Sequence, residues 1–320
     1  MAYQSEIPVL DVSSIVRGDS RGIDDIAREM GEACRGIGFF CVTGHGIDPD
    51  VMQRSFEMSR AFFALPLEQK MAVTMTRSPN NLGYMPFEGE TLDPDKPGDL
   101  KETFNLGLDL AADDPEILAG KPFRGVNQWP ELAGFRDAML AYYEAVWALG
   151  RQLHIAFSRD LGLDDSFFED KLDRPLGYLR LLHYPANAEP KTAGQTGAGE
   201  HTDYGNITLL LPDATPGLEV RTRQGDWIDP PPVPDAFVCN IGDCLMRWTN
   251  DTYVSTPHRV RVPEQERYSI AFFLDPNPDA DVTVLSACVD DDRPAKYPPT
   301  TGAEYLRERL NATQEFRRDA

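Results

Sequence analysis

Positive charge is scarce in this chain of 320 residues. It contains 31 lysines and arginines against 52 aspartates and glutamates, which gives a formal net charge of −21 at pH 7. Such a surface repels phosphate backbones, so we expect no nucleic-acid partner. Long apolar runs are also missing. No stretch approaches the ~20 residues that a membrane-spanning helix needs, so we expect no membrane partner either.

Cysteine is rare as well. The five cysteines, at positions 34, 41, 239, 244 and 288, are odd in number and form no Cys-x-x-Cys pair. We interpret them as reduced and mostly buried thiols, which is typical of a cytoplasmic protein. The first residues, Met1 to Glu6, contain neither a basic segment nor an apolar run, so we expect no secretory leader.

Histidine is also scarce, with five copies, and two of them form a pattern with an aspartate. In an extended segment residues i and i+2 point the same way, so His201 and Asp203 can chelate one ion, while His258 arrives from another strand. Two imidazoles and a carboxylate on one face of a metal suit non-haem Fe(II) enzymes. An isolated His-x-Asp is more often a surface hydrogen bond. Here, however, a Gly-rich loop (194–199) precedes the pattern and a predicted buried strand (207–211) follows it.

A second pattern, Arg267-Tyr268-Ser269, begins an apolar and aromatic segment. By the same alternation Arg267 and Ser269 face one side of a predicted strand. A guanidinium binds carboxylates through two parallel hydrogen bonds and stays charged when desolvated. A solvent-facing arginine is the alternative, but the apolar surroundings favour a buried carboxylate receptor. Together with the His-Asp-His pattern, this predicts a site for a dicarboxylic 2-oxo acid.

These patterns belong to a longer series of motifs. The series comprises Ile7–Asp11, Gly38–Ile47, Leu179–Pro185, Gly199–Gly205, Gly217–Val220, Asn240–Asp243, Ser255–Arg259 and Arg267–Ser269. In sequence and order it resembles the isopenicillin N synthase-like branch of the Fe(II)/2-oxoglutarate-dependent dioxygenases. The resemblance covers roughly residues 5 to 300.

The resemblance implies a mainly β fold with flanking helices, namely a distorted double-stranded β-helix (jelly roll, cupin-like). Within one compact unit we expect an amino-terminal region with the substrate loop over residues 1–120. The jelly-roll core and a carboxy-terminal helix would occupy 121–320. It also implies that Fe(II) is bound by His201, Asp203 and His258. The far carboxylate of 2-oxoglutarate would be bound by Arg267, Ser269 and Tyr184.

The implied activity is oxidation of an unactivated C–H bond in a small organic molecule of secondary metabolism. O2 and 2-oxoglutarate would be consumed, succinate and CO2 released, and ascorbate could serve as a reductant. Hydroxylation is the default outcome, with desaturation and cyclisation as variants. Isopenicillin N synthase itself uses the same Arg-x-Ser pattern for its peptide substrate. A 2-oxoglutarate-independent oxidase therefore remains an alternative, as does a non-catalytic sensor of a small ligand.

For the substrate site we predict Arg77, Tyr84, Phe104 and Arg180. Three of these residues lie in or beside the long segment 77–103, which is rich in Pro, Gly and Asp and lacks periodicity. Apolar spacing predicts helices over 20–34, 135–161 and 302–317, and the last of these either packs on the barrel or closes over the site. The sequence does not indicate an oligomeric state.

Overall fold

The fold is built from two β-sheets and a layer of helices. In a computed structural model, residues 6–78, 80–93, 96–186, 188–190 and 194–318 are described, and within them twelve strands form the two sheets. The large sheet contains, in spatial order, β1 (Val9–Asp11), β2 (Phe39–Thr43), β10 (Phe237–Ile241), β7 (Ile207–Pro212), β12 (Arg267–Leu274), β5 (Tyr178–Tyr184), β4 (Glu102–Gly107) and β3 (Gly83–Met85). The small sheet contains β6 (Ala198–His201), β11 (His258–Val260), β8 (Leu218–Arg221) and β9 (Trp227–Ile228).

The two sheets face each other, as the predicted jelly roll requires. Apart from the parallel pair β1–β2, the strand pairs in the described residues are antiparallel. Side chains from both sheets share one apolar cluster, with Leu182 and Ala271 from the large sheet and Leu218 and Val260 from the small one. The prediction of a mainly β, double-stranded β-helix is confirmed.

The described residues also form eight helices, several of which pack on the large sheet. They are α1 (Ser13–Arg17), α2 (Ser20–Gly36), α3 (Pro49–Phe63), α4 (Leu67–Met71), α5 (Pro115–Leu118), α6 (Phe135–Asp160), α7 (Asp243–Trp248) and α8 (Gly302–Arg318). In α2 the buried residues Ile23, Ala27, Met30 and Cys34 recur every three or four positions, so one face packs into the core. The three predicted helices are confirmed as α2, α6 and α8.

Strand β12 shows how the sheet separates the core from the site. Tyr268, Ile270, Phe272 and Leu274 belong to the large cluster under the helices, whereas the alternate residues line the space between the sheets. The alternate residues are Arg267, Ser269, Ala271 and Phe273. Because side chains alternate along a strand, one segment supplies both the core and the site.

Strands from both predicted regions share the large sheet, since β2 pairs with β10 and β4 pairs with β5. The boundary at residue 120 stays a prediction. The segment 77–103 is largely irregular, as expected, but it contains β3 and the first residues of β4. The five cysteines are free and buried. Among the described helices, none has the length and apolar character needed to cross a membrane.

Candidate metal centre and adjoining cavities

The predicted triad converges at one end of the small sheet. His201 ends β6 and His258 begins β11, and the two residues are paired across these antiparallel strands. Asp203 follows just beyond β6, and its Oδ1 lies 3.7 Å from His201 Nε2 and 3.6 Å from His258 Nε2. The three ligand atoms lie within 4.8 Å of one another, which is close enough to hold a single metal ion.

Each imidazole is oriented by a backbone carbonyl. His201 Nδ1 lies 2.8 Å from the Gly199 carbonyl oxygen, and His258 Nδ1 lies 3.1 Å from that of Thr256. A carbonyl can only accept, so each Nδ1 carries the proton and donates it. The lone pair of each ring is therefore on Nε2, which points to the centre of the triad.

The Asp203 carboxylate is oriented in the same way. Its Oδ2 accepts hydrogen bonds from Thr208 Oγ1 at 2.5 Å and from Asn240 Nδ2 at 2.8 Å, so Oδ1 remains for a metal. Burial raises the pKa of this carboxyl, but the imidazoles of His258 and His201 outweigh that effect and lower its pKa. Burial, followed by the His258 imidazole, lowers the pKa of His201 to about 4. A neutral imidazole and an ionised carboxylate are the forms that bind metals.

A small cavity of about 70 Å³ lies beside the triad, between the sheets, and it contains the predicted carboxylate receptor. Arg267 is 1 % exposed, and its Nη1 donates to Ser269 Oγ at 3.2 Å. Tyr184 faces Arg267 on β5, with its ring centre 4.9 Å from the guanidinium carbon. Among the described residues no carboxylate pairs with Arg267. A buried, uncompensated guanidinium of this kind fits an anionic ligand.

A larger cavity, of about 450 Å³, opens on the other side of the triad. Arg180, one of the predicted substrate residues, lines both this cavity and the small one. The Arg180 guanidinium lies over the stacked rings of Tyr178 and Phe273, at 5.5 Å and 5.7 Å from their centres, and its Nε donates to Asn105 Oδ1 at 3.0 Å. From the loop between β3 and β4, Glu90 accepts from Arg180 Nη1 at 3.2 Å.

Three predicted substrate residues lie away from this cavity. Tyr84 and Phe104 are buried in the large hydrophobic cluster, where both pack against Phe62. Their neighbours Met85 and Asn105 line the cavity instead, because side chains alternate across β3 and β4. Arg77 is exposed and donates to the Ala72 carbonyl oxygen. Because the sequence of this segment shows no periodicity, it did not indicate whether an aromatic residue faces the cavity or the core.

Helix α8 forms one wall of the larger cavity, through Leu306, Arg309 and Leu310. Arg309 Nη2 donates to Asp243 Oδ2 at 2.8 Å, and the same oxygen accepts from Thr202 Oγ1 at 3.1 Å. Thr202 lies between two triad residues, so the helix is attached to the segment that carries them. Sequence spacing predicted this helix, but not these contacts.

Family models match both halves of the chain. A model of the 2OG-Fe(II) oxygenase superfamily matches residues 176–276. A model described as non-haem dioxygenase in morphine synthesis, N-terminal, matches residues 7–132. The first match includes the triad and the Arg-x-Ser pattern.

Individual relatives match nearly the whole chain. The 2-oxoglutarate-Fe(II) type oxidoreductase hxnY of Emericella nidulans is 36% identical over 309 residues, which is 94% of this chain and 88% of the relative. A full-length Neurospora crassa protein solved with alpha-KG (2-oxoglutarate) has a TM-score of 0.85 at 34% identity, with 96% of each chain covered. Its complex with alpha-KG and thymine has a TM-score of 0.83 at 33% identity, covering 96% of this chain and 97% of that one.

Proposed function

The chain belongs to the 2-oxoglutarate–Fe(II) oxygenase superfamily, and from that membership we propose that His201, Asp203 and His258 bind the Fe(II) of this enzyme. The convergence of their three ligand atoms carries the proposal. The donor set supports it too, because two imidazoles and one carboxylate leave open positions on a metal that must also bind O2 and a co-substrate. The contacts behind the ligands hold them in position and fix their protonation.

We propose further that Arg267 and Ser269 bind the far carboxylate of 2-oxoglutarate, with Tyr184 beside them. The buried guanidinium has no carboxylate partner in the described part of the chain, and a dicarboxylate would supply one. A charge-assisted bidentate pair in a dry cavity is strong and directional. Because Arg267 and the triad line the same small cavity, one dicarboxylate can reach both. This supports the 2-oxoglutarate-dependent enzyme over the oxidase and sensor alternatives, and so do the relatives.

When bound, Fe(II) supplies the redox chemistry that couples decarboxylation of 2-oxoglutarate to oxidation of a C–H bond. The residues around the larger cavity would bind and orient the substrate beside the metal and exclude water from it. A volume near 450 Å³ suits a small organic molecule. We propose Arg180, Asn105, Tyr178 and Phe273 as its contacts, with hydroxylation as the default outcome. The thymine complex of the Neurospora protein supports a small polar substrate.

The test removes one proposed ligand at a time. We expect His201→Ala and Asp203→Ala to lose bound Fe(II) and 2-oxoglutarate-dependent succinate release, because the remaining two ligands hold the ion poorly. His45→Ala is the matched control, since His45 contacts the Asp235 carbonyl oxygen and does not belong to the three-residue metal cluster. Either triad variant retaining wild-type metal content and rate would refute the assignment. Oxygen uptake without 2-oxoglutarate would favour the oxidase alternative.

A further inference from the structure

The larger cavity contains charged side chains, but the described arginines that line it are already paired. Arg180 pairs with Glu90 at 3.2 Å, and Arg309 pairs with Asp243 at 2.8 Å. Arg124 Nε lies 2.8 Å from Glu116 Oε2. No lysine is among the described lining residues. A substrate that enters this cavity therefore meets no cation in need of an anion.

Of the other acidic groups that line the cavity, one is paired with an arginine and one is a proposed metal ligand. Glu200 pairs with Arg221 at 2.6 Å, and Asp203 is a proposed metal ligand. Asp275 is buried, and burial together with the nearby Asp203 charge raises its pKa to about 7. Asp275 has no cation partner among the described residues, but it is partly protonated near pH 7, so a cationic substrate finds no fully ionised free carboxylate among the described lining residues.

Glu90 is central to this balance because it bridges the buried Lys101 and the partly buried Arg180. Its Oε2 lies 3.1 Å from Lys101 Nζ and 3.2 Å from Arg180 Nη1. Lys101 is 2 % exposed and has a second carboxylate partner in Asp99, at 2.5 Å. Arg180 has no other carboxylate partner in the described residues. Removing the charge of Glu90 would therefore leave Lys101 paired and Arg180 unpaired.

We propose that Glu90 is a specificity-determining residue that restricts the larger cavity to uncharged substrates. An anionic substrate would have to take Arg180 away from Glu90 and leave that carboxylate beside a second negative charge. Like charges held together in a mostly buried site are strongly unfavourable. A cationic substrate would have to compete with Lys101 and Arg180 for the same carboxylate. A neutral molecule leaves the bridge intact. This inference rests on the proposed function of the cavity as the substrate site.

The test compares matched neutral and anionic probes by calorimetry. Benzamide and benzoate, and likewise phenylacetamide and phenylacetate, are titrated anaerobically into protein saturated with Fe(II) and 2-oxoglutarate. We expect the wild type to prefer each amide over its carboxylate. Glu90→Gln keeps the size of the side chain and removes its charge. It should raise the affinity for each carboxylate about tenfold to a hundredfold, because Arg180 becomes available for a charge-assisted bond.

Glu200→Gln is the matched control. Glu200 also lines the cavity, but its partner Arg221 is half-exposed at the surface, so this variant should not gain affinity for carboxylates. A wild type that prefers the carboxylates, or a folded Glu90→Gln protein that gains no carboxylate affinity, would overturn the proposal. The comparison of amides with carboxylates on the wild-type protein tests the proposal even if the variant does not fold. Saturation with 2-oxoglutarate is checked first in each sample. Failure at that step refutes the proposed function, whereas failure only in probe selectivity refutes the role of Glu90.

Discussion

Replacing Arg267 with alanine tests the assignment of the co-substrate cavity most directly. Arg267 is 1 % exposed, its guanidinium bonds to Ser269, and no carboxylate of the described residues neutralises it. If it binds the far carboxylate of 2-oxoglutarate, the alanine variant must place that carboxylate in a buried site with no counter-charge. Arg267→Lys provides an intermediate case, because it keeps the charge and loses the planar fork.

The expected loss of 2-oxoglutarate affinity follows from the burial of the pair that Arg267 would form with the carboxylate. Truncating one partner of a buried, hydrogen-bonded charge pair costs about 2–5 kcal/mol. That range corresponds to a dissociation constant for 2-oxoglutarate raised about 30-fold to 4,000-fold in Arg267→Ala. We expect Arg267→Lys to lie between this variant and the wild type. Binding of Fe(II) itself should be unchanged, because Arg267 lies on β12 and the ligands lie on or beside β6 and β11.

The assay is an anaerobic titration of the Fe(II)-loaded protein with 2-oxoglutarate, followed by the visible metal-to-ligand charge-transfer band. Arg261→Ala is the control arginine, since Arg261 pairs with Asp229 at the surface. Thermal unfolding shows whether each variant is folded. A folded Arg267→Ala protein that binds 2-oxoglutarate within threefold of the wild type would refute the receptor role. That result would instead support the oxidase alternative, in which the arginine binds another ligand.

Two further predictions concern helix α8 and a buried histidine. Arg309→Ala should raise the substrate KM up to about fivefold, the value of a partly exposed ion pair, with 2-oxoglutarate affinity unchanged. Arg307→Ala, exposed on the same helix, should behave as wild type, and equal effects would disprove a specific role. Burial lowers the pKa of His154 to about 4, so the unfolded chain binds a proton near pH 5 that the folded chain does not. The contribution of His154 to the free energy of unfolding is therefore fully present above pH 6.5 and is lost as pH falls towards 4. Between pH 7.5 and 5 this loss is about 2 kcal/mol. Urea unfolding should show a loss about 2 kcal/mol larger in the wild type than in His154→Leu, and identical losses would contradict this prediction.

The metal centre could be predicted from sequence because its geometry is mostly local. His201 and Asp203 need only an extended backbone to face the same way, and a strand edge supplies it. Arg267 and Ser269 follow the same rule on β12. What the sequence could not provide was the pairing of His201 with His258 across β6 and β11, which depends on the sheet as a whole.

The substrate cavity depends on contacts between segments far apart in the chain, so most of the residues that line it could not be predicted from sequence spacing. Arg180 was predicted, but its partner Glu90 comes from a loop without periodicity, and the pairing follows from how that loop lies over β5. The predictions that Tyr84 and Phe104 contact the substrate were wrong for a simpler reason. In β4 the apolar residues Phe104 and Leu106 face the core, whereas Asn105 and Gly107 line the cavity, and this alternation can be interpreted only once the segment is known to be a strand.

The residues of the metal centre and those of the larger cavity differ in how strongly the fold fixes their positions. The ligands of the metal and of 2-oxoglutarate lie on strands whose alternate residues form the core, so changing their positions would disturb the fold itself. Glu90, on a loop, and Arg309, on a terminal helix, can vary without altering the strand register. The charge balance of the larger cavity can therefore change while the chemistry of the centre stays the same. Glu90→Gln is accordingly expected to alter which probes bind in the larger cavity.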